Sequence, residues 1–312
     1  MNEVKSKPLI LESNIFYLTI GILLLTLGAF FQMKNLYSGF IITEYLIIFL
    51  PTVLYLKFRG YSLKKVLRLN RLTFKETIII PLITLCAYPV GAFLNTLMMI
   101  FISLFGEIRP LPIPPANNGK EFLINFLIIA LSAGICEEVM FRGMIMNSYE
   151  RLGNKKAIIF SGMLFGFFHF NIQNLLGPIF LGLLFGYIVY KTNSIYSSVL
   201  AHTTNNTIAL FLSFIVNKMG IAPNPEISSE ITQNFSNTML LIGSAFSIGI
   251  IAVISGVFGY LLLKILSKDK NDINATFETS EFVEKEKLNF VEILPLAIVF
   301  IGFLIITIIR FM

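Results

Sequence analysis

Residues 121–147 read EFLINFLIIALSAGICEEVMFRGMIMN, and that one stretch decides the class of the molecule. Its apolar run is long enough to cross a bilayer, since about 20 helical residues span the hydrocarbon core. Well inside the run stand Glu137, Glu138 and Arg142. Ionisable groups at such a place are costly and need partners there. The stretch therefore predicts a transmembrane helix that carries a polar site within the membrane.

The rest of the chain extends the first half of that reading. It is 55% hydrophobic and 13% charged, with mean hydropathy +0.79. Apolar runs recur near residues 15–33, 38–57, 77–105, 121–147, 156–170, 175–190, 195–216, 238–264 and 290–311. The expected fold is all-α, a polytopic transmembrane helical bundle of about eight or nine spans. The runs 156–170 and 175–190 are short, which predicts that they are tilted, re-entrant or lodged against other helices. Pro81 and Pro89 predict a kink in the third run. Three regions are expected: N-terminal spans over 1–120, a core over 121–216, and C-terminal spans over 217–312. The loops at 106–120 and 217–237 are read as outside connectors, and the charged stretch 267–289 as a cytoplasmic linker.

The net charge of +6 is not a nucleic-acid signal, because the basic residues sit in particular loops. With the N-terminus cytoplasmic and every run spanning, eighteen Lys and Arg fall inside and five outside. That asymmetry predicts a cytoplasmic N-terminus in a multi-pass protein of the cell membrane. Within Tyr61–Lys75, Leu63, Val66, Leu67 and Leu69 alternate with Lys64, Lys65, Arg68 and Arg71. This fits either an amphipathic helix on an anionic leaflet or a solvated basic loop. Cys86 and Cys136 both lie inside spans, where they form neither a disulfide framework nor a metal cluster. The first apolar run shows no convincing cleavage site. Glu44, near the outer end of the second run, is expected to snorkel to the interface.

The chain has only two histidines, His169 and His202, and both lie in the same part of the sequence as the acidic pair. Glu138 and Arg142 stand at i,i+4 with the acid first, the favourable order for pairing on a helix. Glu137 is turned about 100° from Glu138, so it is free to face another neighbour. Phe165 and His169 share a face by the same spacing, as do His202 and Asn206, whereas Asn205 points elsewhere. Counting about 1.5 Å per residue from the cytoplasmic ends puts Glu137 roughly 15 Å deep, His169 roughly 18 Å, His202 roughly 12 Å and Asn206 roughly 18 Å. Polar side chains from three helices thus fall in one layer, as a shared water-reached cavity requires.

Glu-Glu-x-x-x-Arg, then Phe-x-x-x-His, then His-x-x-x-Asn, all on apolar helices, resembles the CPBP family of CAAX proteases and bacteriocin-processing enzymes, also called Abi. The resemblance covers about residues 120–215. It implies a membrane endopeptidase with its site open to the cytosol, a peptide or protein substrate, lipid surroundings and no nucleic-acid partner. Glu137 is expected as general base, with His169 orienting or relaying for the same water. His202 and Asn206 are expected as oxyanion donors, and Arg142 as the partner of Glu138. Members are often labelled metalloproteases, and Glu137, His169 and His202 form a permissible zinc set with water as the fourth ligand. A metal-free glutamate mechanism uses the same residues. The use of Ile, Asn and Lys without Trp points to an AT-rich bacterial genome, which disfavours prenylated substrates. Two other functions fit the composition: a non-catalytic scaffold or bacteriocin-immunity protein, and an ion-coupled transporter. The inverted repeats and matched broken helices of many transporters are not visible here.

Overall fold

A computed structural model describes residues 7–106, 108, 114, 116–220, 237–266 and 287–311. Part of the connector 106–120, and most of the stretches 217–237 and 267–289, fall outside the described residues. Among these residues the regular elements are all helical. Eight helices are long and apolar enough to cross a membrane: α1 (Ile10–Lys34), α2 (Leu36–Phe58), α3 (Phe74–Ser103), α4 (Gly119–Leu152), α6 (Ile172–Thr192), α7 (Ile195–Lys218), α8 (Thr238–Ile265) and α9 (Phe290–Ile309).

The fifth run, 156–170, is the exception. It forms α5 (Asn154–Phe167), 14 residues long, and so about 21 Å, well short of a hydrocarbon core of about 30 Å. Phe170, with φ +44°, takes the chain out of the helix. The Asn171 side chain then accepts the Gln173 amide at 3.0 Å and starts the next turn. α5 and α6 form an antiparallel hairpin with backbones in close approach. A Cβ on Gly182 would lie 2.8 Å from the Gly162 Cα, and one on Gly162 would lie 2.8 Å from the Leu183 nitrogen. Lipid supplies no hydrophobic drive between helices, so small residues that permit such contact provide the packing.

α4 is the centre of the bundle. Its first half packs against α7 and α2, and its second half touches α1, α2, α5 and α7. α8 lies along α3, and α9 lies along α1. Tyr17, Met140, Phe141, Met144, Phe165 and Phe168 fill the interior around α4. Two π-helical stretches, Ile42–Phe49 in α2 and Val139–Ile145 in α4, widen the helices next to the acidic residues. Single wide turns of this kind recur at functional sites. α3 runs unbroken from Phe74 to Ser103 with Pro81 and Pro89 inside it, anchored by a capping box between Thr73 and Glu76.

Tyr61–Lys75 is neither an extended amphipathic helix nor a solvated loop. It holds one helical turn, Leu63–Val66, and buries Val66 and Leu67 in the core. The Arg68 side chain pairs with Glu150, which also binds Lys7 at 3.0 Å. Arg68 accepts the Ile195 amide through its carbonyl, and Asn70 donates to the Asn193 carbonyl at 2.6 Å. The stretch thus straps the end of α4 to the start of α7. Arg59 pairs with Glu12, so basic residues near the start of α1, the end of α2 and the end of α4 gather at one end of the bundle.

Candidate active site

The motif positions converge around one carboxylate. Glu138 is fully buried, and its Oε1 accepts from Arg142 Nη1 at 2.8 Å and from His202 Nδ1 at 3.0 Å. The first contact is the expected i,i+4 pair. The second ties α4 to α7 and was not legible in the spacing. Arg142, 1% exposed, also donates from Nη2 to the Gly182 carbonyl at 3.0 Å, which fastens α6 to the same point. Removing a partner from such a buried set is expensive because an uncompensated charge is left behind.

Aromatic rings enclose the set. The guanidinium of Arg142 lies 4.6 Å from the Phe165 ring centre and 5.5 Å from that of Phe185. Phe185 stacks on His202 at 5.5 Å. Phe165 meets His202 edge to face at 5.4 Å and His169 at 5.2 Å, so one ring spaces the two imidazoles. The Phe-x-x-x-His motif therefore supplies a spacer as well as an imidazole.

His169 lies in the turn beyond the last residue of α5, and it is exposed. Its expected place on a helical span is corrected accordingly. The ring still faces Phe165, as the i,i+4 spacing requires, because its Nδ1 lies 3.0 Å from the Phe165 carbonyl. A carbonyl only accepts, so Nδ1 carries the hydrogen and Nε2 presents its lone pair outward. His202 likewise uses Nδ1 to donate to Glu138, leaving Nε2 for other work.

Glu137 is half-buried, and its Oε2 is enclosed without a hydrogen-bond partner. His202, Glu138 and Arg142 are among its charged neighbours, so the neighbouring acid is neutralised while Glu137 retains a free oxygen. Asn206 is half-buried one turn beyond His202. Asn205 does not point away from it. Its Nδ2 donates to Asn206 Oδ1 at 3.1 Å, leaving the Asn206 amide hydrogens to face outward.

One further expectation changes. Glu44 does not snorkel. It is 6% exposed and enclosed between helices, and it too has an unpartnered Oε2. For zinc, no three His, Cys, Asp or Glu side chains gather as a metal-holding group among the described residues. The chemistry below is written for Glu137, His169 and His202 acting as side chains, without an ion. Cys86 and Cys136 are free thiols.

Comparison with known proteins agrees with this geometry. Residues 119–208 match the family model described as type II CAAX prenyl endopeptidase Rce1-like. The match covers the segment that carries all three motifs, and it bears out the resemblance to CAAX-type membrane proteases for this core. No curated protein and no solved structure matches the chain.

Proposed function

We propose that the protein is an intramembrane endopeptidase that hydrolyses a peptide bond of a membrane-associated peptide or protein with a water activated by Glu137 and His169. The observation that carries this reading is the division of labour within the acidic pair. Glu138 is consumed by Arg142 and His202, whereas the Glu137 carboxyl beside them is bound by neither.

In this mechanism Glu137 takes a proton from water as the oxygen attacks the scissile carbonyl, and His169 Nε2 accepts a hydrogen bond from the remaining O–H, which orients the attack. The oxyanion is held by the Asn206 amide and by an N–H of His202 at Nε2, each worth about 3 kcal/mol. Glu137 then passes its proton to the leaving amine, which restores the carboxylate. Arg142 and Glu138 fix His202 and the Gly182 backbone in register.

Substrates reach the site from the cytosolic end, with the N-terminus also cytosolic. Supporting this is the gathering of Lys7, Arg59, Arg68 and Arg151 at the end of the bundle where α4 finishes, as the positive-inside rule favours. The family model's description names prenylated CAAX ends, and composition favours a bacterial peptide precursor. A substrate panel therefore contains both.

The test compares membrane-peptide termini by mass spectrometry in cells expressing wild type or Glu137→Ala, followed by turnover of the same peptides by purified protein. Wild type should generate new termini. Glu137→Ala should insert normally and turn over about 10²–10⁴-fold more slowly. Equal processing by both proteins would refute the assignment.

A further inference from the structure

The mechanism above leaves Glu44 unused, yet its carboxyl is buried in the middle of the bundle. It lies in the π-helical stretch Ile42–Phe49 of α2, which packs directly against Ser132–Glu138 of α4. Across this contact the Glu44 and Glu137 carboxyls feel each other's charge, as Glu137 also feels His202, Glu138 and Arg142. Cys136 and Tyr45 are the other titratable groups beside it. Among the described residues no Lys, Arg or His pairs with Glu44. Glu44 Oε2 and Glu137 Oε2 are both enclosed and without partners.

Two adjacent carboxyls in a water-poor interior do not both carry charge, because neither desolvation nor repulsion is offset. The arrangement that satisfies both orphaned oxygens is a single hydrogen between them. We propose that Glu44 is a positioning residue for the hydrolytic centre, its carboxyl hydrogen-bonded to that of Glu137 directly or through one water. One Glu137 oxygen is thereby held towards α2, leaving the other aimed at the attacking water. A base fixed in this way keeps its reactive geometry, and misplacement by about 1 Å is enough to cost on the order of 10²-fold in rate. This inference rests on the peptidase reading for its catalytic consequence, though the pairing itself does not.

The experiment uses full-length wild type, Glu44→Leu and Glu44→Gln, purified in lipid, with Glu137→Gln as the spectroscopic control. Leucine removes a polar group from a span, so insertion is retained. Glutamine keeps a hydrogen-bond donor. On a peptide that wild type cleaves, Glu44→Leu should lower kcat about 10- to 100-fold with KM within about threefold, and Glu44→Gln should recover most of the loss. Infrared difference spectra should show the Glu137 carboxyl band displaced in Glu44→Leu and nearer its wild-type position in Glu44→Gln. An unchanged kcat in Glu44→Leu, equal losses in both variants, or an unmoved Glu137 band would overturn the proposal. Should wild type cleave nothing in the panel, the peptidase reading falls, and the infrared comparison still decides the pairing.

Discussion

α6 and α8 are both apolar helices of spanning length, yet 61% of the first is buried inside the protein against 11% of the second. α6 offers its glycines and the Gly182 carbonyl to α5 and to Arg142. α8 turns Phe246, Val253 and Phe258 outward and meets the rest of the protein mainly along α3. Apolar content alone therefore does not tell a helix that faces lipid from one that builds a site. The difference lies in small residues where backbones meet and in polar groups that find partners on other helices.

Five single substitutions press on that contrast, and the largest effect belongs to the centre. Arg142→Met should leave Glu138 charged and half-paired, costing about 3–5 kcal/mol of stability. Unfolding in mild detergent measures it, and the double variant Arg142→Met/Glu138→Gln should recover part of the loss. His202→Ala and Asn206→Ala should each lower kcat by about 10²–10³ with a smaller change in KM, as read from steady-state kinetics on the same peptides. Gly162→Val should force α5 from α6 and cost about 1–3 kcal/mol, since the added atoms meet the Leu183 backbone. The smallest effect falls on the periphery. Phe246→Leu, at a position 73% exposed, should change the unfolding midpoint by no more than about 0.5 kcal/mol equivalent. A loss there as large as at Gly162 would mean that α8 is a working part of the core.

Much of the site was legible because its signals are local. Spacing at i,i+4 links Glu138 to Arg142 and aligns Phe165 with His169, and both contacts are present. The roles of Glu44 and Gly182 were not legible, because each depends on which face of an almost uniformly apolar helix turns inward. No period in the sequence encodes that choice. The Glu138–His202 bond joins residues 64 apart for the same reason. The end of α5 lies earlier than the apolar run suggests, because an apolar count carries on through His169, whereas the backbone turns away at Phe168–Asn171. Tyr61–Lys75 was misread because its alternation fits a lipid surface and a protein surface equally well. The burial of Val66 and Leu67 against the end of α4 decided for the second.

The wide turns in α2 and α4 have an evolutionary corollary. A helix that accommodates one residue more per turn shifts the phase of everything beyond it by about 100°. In α4 the shift begins directly after Glu138, so the half that presents the acids and the half that anchors the aromatic interior are phased independently. A one-residue deletion at Val139 would turn everything beyond it by about 100° against the acids, whereas substitutions there leave the phase untouched. Within this span, length is constrained more tightly than identity.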